Sequence, residues 1–208
     1  MKLFLYLLFL AHQADKKYDA AIHEHRRHYK EEFTTDKNSP LSAADTGFLA
    51  FYQPDETYRV TAKVVLTPNA SSFKIPTHNP KVQKEYKEYA VLKFKLNGKA
   101  LELHAYRNVN WEKSEQYKDL LFVPFTDNTN TTTTYGGGRY LDLSISDIKN
   151  GKIELDFNKC YNPYCAYKEG YSCPIPPREN SLDISLEAGE KNFMLSEETR
   201  QHLREGKW

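Results

Sequence analysis

VLKFKLNGKALELHA, from Val91 to Ala105, is the stretch that decides the fold. Asn97-Gly98 favours the type I′ turn of a two-residue β-hairpin, because both central residues must take positive φ and these two residue types do so at least cost. Leu92, Phe94 and Leu96 alternate with lysines before the turn, and Leu101, Leu103 and Ala105 alternate with Glu102 and His104 after it. That period of two marks half-buried strands. In the register the turn imposes, Phe94 faces Leu101 and Leu92 faces Leu103 on the core side, while Lys93 faces Glu102 on the wet side.

The same period recurs outward from the hairpin. Tyr58, Val60, Ala62 and Val64 alternate with polar residues, and further strands read from Leu120 to Phe125, from Arg139 to Ile145, from Lys152 to Phe157 and through Leu182, Ile184 and Leu186. Leu141, Leu143 and Ile145 point inward in this reading, as do Ile153, Leu155 and Phe157. No helical crossovers separate these strands, so the fold expected is mostly β, an antiparallel barrel or sandwich. Tyr18, Ile22, His25, Tyr29 and Phe33 lie at spacings of a helical stripe and predict an N-terminal amphipathic helix from about Asp15 to Phe33. A short C-terminal helix is expected from Ser196 to about Arg204, with Ser196 as its cap.

Met1 and Lys2 lead into an apolar run from Leu3 to Leu10, too short to span a bilayer, and then into small residues at Ala11 and Ala14. This reads as a signal peptide over residues 1–14, ahead of one β-rich domain over 15–208, and places the protein in the periplasm or outside the cell. No membrane span is expected after signal removal. The formal net charge is +1 with acids and bases interspersed, which argues against partners such as nucleic acid or an anionic membrane. The 15 tyrosines suit carbohydrate or aromatic recognition as well as a wet core edge. His23, His25 and His28 gather no further ligand, so neither metal nor cofactor is expected. Nothing in the sequence fixes the oligomeric state.

The Asn/Thr run from Thr126 to Thr134 reads as a loop, because these side chains bond locally to the backbone and compete with regular structure. Gly136-Gly137-Gly138 follows it. Three glycines can bring amides onto an anion, but a phosphate cradle usually opens a helix and this run precedes a strand, so a flexible or tightly packed turn is the expectation.

FVPFTDNTNTTTTYGGGRYLDL (Phe122 to Leu143), LDFNKCYNPYCAYKEGYSCPIPPREN (Leu155 to Asn180) and LEAGEK (Leu186 to Lys191) resemble the bacterial domain-of-unknown-function family 1684, DUF1684. A weaker likeness extends back through SPLSAADTGFLAFYQPDETYRV, from Ser39 to Val60. The resemblance implies kinship without an established reaction, ligand or partner. Two departures stand out: Asn130 is followed by Thr131 to Thr134 where the family commonly has Gly and acids, and Cys160 replaces a small apolar residue. Three cysteines in an exported protein suggest one bridge and one free thiol. The resemblance favours a disulfide between Cys165 and Cys173, with Cys160 left over. A metal-binding or reduced pair is the rival.

The residues that carry chemistry are Asp127, Tyr135, Arg139, Asp156, Asn158, Tyr161, Asn162, Tyr164, Arg178, Glu179 and Asn180, on loops beside strand ends. Three readings follow. In the first, the protein binds a small polar or sugar-like ligand in a tyrosine-lined barrel mouth, through Tyr135, Arg139, Tyr161, Asn162, Tyr164, Arg178 and Asn180. In the second it is a hydrolase or lyase using the Asp127 and Glu179 carboxylates as acid and base. In the third it is a structural or accessory envelope protein, with Arg139 buried against a carboxylate and the Asn and Asp side chains satisfying loop backbone. A site requires Asp127, Arg139, Tyr161 and Glu179 to converge on one solvent-reachable cleft.

Overall fold

The computed structural model describes residues 2–194, with side-chain surroundings from residue 16 onward. Its centre is the hairpin of strands β3 (Gln83–Leu96) and β4 (Lys99–Asn108). Asn97 and Gly98 have φ of 51° and 77°, the type I′ turn that their chemistry favours. Phe94 pairs with Leu101, Leu92 with Leu103 and Lys93 with Glu102, whose side chains meet at 3.3 Å on the wet side.

Six further strands complete an eight-stranded sheet: β1 (Arg59–Leu66), β2 (Ser72–Pro76), β5 (Leu120–Asp127), β6 (Arg139–Ser144), β7 (Lys152–Asp156) and β8 (Ser181–Leu182). The main order is β6-β5-β4-β3-β1-β7, antiparallel throughout, with β2 added to β3 and the two-residue β8 running parallel to β5. The sheet curls into a half-barrel. Ala62, Ala90, Leu92, Leu103, Leu121, Val123, Phe125, Leu155 and Phe157 fill its interior and are nearly or fully buried. A buried leucine of this kind contributes roughly 1.5 to 3 kcal/mol. The strand read through Leu182, Ile184 and Leu186 is shorter than its pattern suggests. Only Ser181 and Leu182 pair with β5, while Ile184 and Leu186 plug the interior from an irregular strap.

Two irregularities shape the outer face. A bulge between Glu88 and Ala90 inserts Tyr89 into β3, so that Ala90 opposes Ala105 while Glu88 opposes Tyr106. One extra residue reverses the alternation, which turns Tyr86 outward although it shares parity with Leu92. Between β4 and β5 the only strand pairing is Tyr106 with Phe122, because Pro124 has no N–H to offer the ladder. Asn180 fills the gap: its side chain accepts from His104 N (2.7 Å) and donates to His104 O (2.9 Å) and Pro124 O (2.7 Å).

Helix α1 (Lys2–Thr35) lies against the outside of the half-barrel. Tyr18, Ile22 and Phe33 of the expected stripe are buried, but Arg26 takes the place read for His25. The Arg26 guanidinium donates to Tyr52 O at 2.9 Å and stacks 4.8 Å from Phe51, so its buried charge is hydrogen-bonded while His25 faces solvent. Tyr18 donates to Asp156 Oδ1 at 2.9 Å and accepts from Asn158 Nδ2 at 2.8 Å, fastening the helix to the end of β7. The C-terminal helix read from Ser196 lies outside the described residues. No helix among the described residues is long and apolar enough to cross a membrane.

Candidate functional site

The outward turn of Tyr86 begins an aromatic layer across the covered part of the outer face. Its ring stacks on Phe122 at 5.4 Å, Phe122 meets Tyr140 edge-on at 4.7 Å, and Tyr140 meets Tyr161 at 5.8 Å. Tyr161 is held there by backbone pairing, since Tyr140 N donates to Tyr161 O and Tyr161 N to Tyr140 O, extending the free edge of β6. Over this floor α1 brings Tyr29, Glu32 and Phe33, and the loop after Cys160 brings Tyr164, Tyr171 and Cys173. Together with Trp111 and Lys84 they enclose a cleft of about 730 Å³.

Asp142 lines that cleft on the β6 side, with Glu32 of α1 the other carboxylate in its wall. Asp142 lies opposite Phe122 in the β5–β6 pairing and accepts a hydrogen bond from Tyr161 OH at 2.8 Å. The residue is exposed to water, yet the protein packed near its carboxylate partly desolvates it and pushes its pKa up to about 6 against the pull of the Tyr161 hydroxyl. Burial also raises Glu32, across the cleft on α1, and lowers His25. The Tyr161 phenol is raised well above its usual value by burial and by Asp142, so it remains a donor at neutral pH. The site thus offers aromatic surface, one carboxylate that exchanges its proton near neutrality, and lysines at positions 84 and 159 on its margin.

Of the residues singled out in the sequence, Tyr161 and Tyr164 line this cleft. The four that a single site would need do not converge. Arg139 and Asp127 form an ion pair at 2.8 Å with both side chains fully buried. Arg139 also donates to the Leu186 carbonyl at 2.8 Å and to those of Ala188 and Glu190, and Asp127 accepts from Thr129 N, Thr129 Oγ1 and Leu186 N. Both terminal nitrogens of Arg139 and the Asp127 carboxylate face protein partners, only Arg139 Nε being without one among the described residues, and their complete burial closes both side chains to a ligand. Glu179 is exposed and accepts from Tyr106 OH at 3.0 Å, with none of the partners that hold Asp127, and Arg178 is exposed beside it.

Asn180 is the clasp between β4 and β5. Asn162 is buried, donating its backbone N–H to Glu190, and Tyr135 is half-buried, accepting from Asn130 Nδ2 through its carbonyl at 2.7 Å. Asp156 and Asn158 anchor α1. Cys165 and Cys173 are free thiols, with Cys165 N donating to Cys173 Sγ at 3.2 Å, and the buried Cys160 thiol is pushed up to about 11 by desolvation.

Behind the cleft sits a second carboxylate that the sequence did not single out. Glu190 is fully buried and has no cation within 4.0 Å of its carboxylate among the described residues; it accepts from Tyr167 OH (2.7 Å), Tyr29 OH (3.0 Å) and Asn162 N (2.9 Å). Desolvation pushes it up to about 7 in spite of these donors. Asp142 has a visible cue in hindsight: Tyr140 accompanies it on the outward positions of YLDL, and a tyrosine on a nominally wet face signals that something covers that face.

A family model described as a protein of unknown function, DUF1684, matches residues 47–191. The solution NMR structure of an uncharacterized protein from Haloarcula marismortui is 32% identical and superposes with a TM-score of 0.66, covering 86% of this chain and 96% of that one. A search of curated proteins found no match.

Two outcomes are expected from the buried charges. Arg139→Ala should cost on the order of 3 to 5 kcal/mol in urea unfolding, because it leaves the Asp127 carboxylate buried without its partner. Glu190 releases its proton near 4.5 when unfolded but near 7 when folded, so the folded state retains a proton that the unfolded chain has lost between those values. Its contribution is therefore full below about pH 4.5 and is lost as pH rises to about 7, a decline on the order of 3 kcal/mol. Glu190→Gln should flatten that slope when unfolding is compared at the two ends of the window.

Proposed function

The chain belongs to the DUF1684 family, and from that premise we propose that it captures a small, polar, sugar-like ligand in the cleft beneath α1. The observation that supports this is the cleft itself. About 730 Å³ is bounded by tyrosines with Asp142 in its wall, which is the volume and chemistry of a small-molecule site: apolar walls with a few placed polar groups. Aromatic faces take the C–H face of a saturated ring, while Asp142 and the phenols take hydroxyls. The site lies on the outer face of the half-barrel, not in a barrel mouth. A hydrolase or lyase reading moves from Asp127 and Glu179 to Asp142, whose raised pKa suits a proton donor.

Export belongs to the same reading and is supported by the apolar run from Leu3 to Leu10. In an oxidising compartment the adjacent thiols of Cys165 and Cys173 would bridge, fixing the loop that carries Tyr164 and Tyr171 into the cleft wall. Intact mass and non-reducing peptide mapping of natively expressed protein should find residues 1–14 absent and a link from 165 to 173. A retained leader or a link through Cys160 would remove this part of the reading.

A thermal-shift panel of monosaccharides, disaccharides and sugar acids should raise the melting temperature for at least one member, since a ligand specific to the native state stabilises it. Asp142→Asn and Tyr161→Phe should fold normally and lose the shift. A panel without a response, or a response that survives Asp142→Asn, would exclude this cleft as the site. Turnover of nitrophenyl glycosides that disappears in Asp142→Asn would select the enzyme over the binding protein.

A further inference from the structure

Among the described residues, α1 covers the outer face of the half-barrel over β5 and β6 and meets it again through Tyr18 at Arg59 and Asp156, the outer ends of β1 and β7, while the stretch around Lys63, Lys93 and Lys152 is exposed. On the exposed stretch the register sets Lys63 of β1 directly opposite Lys93 of β3 on one side and Lys152 of β7 on the other. Strands lie about 4.8 Å apart, so three ammonium stems stand in a row roughly 10 Å long. Lys95 projects from the same face two residues from Lys93, and the four border a groove of about 870 Å³.

Like charges directly opposite on one face oppose sheet formation. Lys93 has Glu102 at 3.3 Å, but Lys63, Lys95 and Lys152 have no carboxylate within 4.0 Å among the described residues. All four are exposed. Beside the row, Val65 of β1 is 38% exposed on the face of Lys63, directly opposite the half-buried Val91 on the face of Lys93. A soluble polyanion would satisfy the amines and leave the aliphatic side chains in water. A surface that is anionic outside and apolar beneath satisfies both.

We propose that the exposed patch around Lys63 on the outer face of β7, β1 and β3 docks on an anionic lipid bilayer, with Lys63, Lys93, Lys95 and Lys152 on the headgroups and Val65 and Val91 at the acyl boundary. The docking is peripheral and involves no spanning segment. It is independent of the cleft, which lies over other strands of the same face.

The test is co-sedimentation of the full chain with vesicles of phosphatidylcholine alone or with one third phosphatidylserine. Because the apolar run from Leu3 to Leu10 could insert into either lipid, the phosphatidylserine-dependent part is the readout. Binding should be stronger with phosphatidylserine, fall in 0.5 M salt, and fall at least about 25-fold in Lys63→Glu/Lys152→Glu, given about fivefold for each lysine at an anionic surface. Val65→Ser/Val91→Ser should weaken binding to the anionic vesicles while retaining salt dependence. The charge-reversed protein should melt no lower than the parent, which separates lost docking from lost folding. Equal binding to both vesicles, or anionic binding unchanged by the charge reversal, overturns the proposal. So does a melting shift with inorganic tripolyphosphate without vesicle binding, which would assign the row to a soluble polyanion.

Discussion

The guanidinium of Arg139 is the point through which the architecture is tied together. A charge taken wholly out of water is tolerable only when most of its donors are met. Here Asp127 and the carbonyls of Leu186, Ala188 and Glu190 receive those of both terminal nitrogens, leaving Nε alone without a partner among the described residues. Those carbonyls belong to the strap that plugs the half-barrel, so a single side chain on β6 sets the strap's path. Gly189 then runs so close to the sulfur and carbonyl of Cys160 that no Cβ fits. That approach carries Glu190 into the interior, where Tyr29 and Tyr167 donate to it. Tyr29 in turn holds α1 over the aromatic layer. The cleft is therefore a consequence of the interior, assembled outward from a buried ion pair.

Much of this fold was legible because its signals are local. Asn97-Gly98 fixes a turn, the turn fixes a register, and alternation assigns the faces from Leu92 to Leu103. The strand after Tyr89 could be read this way but the segment before it could not, because the bulge changes phase without a residue type that announces it. The site was less legible for a related reason. Tyr161 and Tyr164 were identified, but Asp142 was assigned to a wet face, which is correct in parity and incomplete in context, since only tertiary structure shows that α1 covers it. Asp127 and Arg139 were drawn together in sequence as candidates for chemistry. Their complete burial as a hydrogen-bonded ion pair gives them a structural role instead.

The outer face also shows how composition can conceal local electrostatics. A net charge near zero describes the whole chain, whereas Lys63, Lys93 and Lys152, scattered along it, become neighbours only once three strands are paired. The same face is aromatic and roofed over β5 and β6, and cationic and exposed around Lys63 of β1 and Lys152 of β7. The polar positions of an alternating strand thus carry two kinds of information that periodicity alone does not separate.

The clasp made by Asn180 bears on the order in which the chain assembles. The β3–β4 hairpin closes across two residues, whereas the β4–β5 seam borrows its missing rungs from a side chain 76 residues beyond His104 and 56 beyond Pro124. Contacts of such high sequence separation form slowly, because loop-closure entropy is lost before they return any enthalpy. An emerging chain can form its central hairpin early, but the seam beside it stays incomplete until Asn180 has been synthesised. The half-barrel is, in that respect, a fold whose middle is completed by its end.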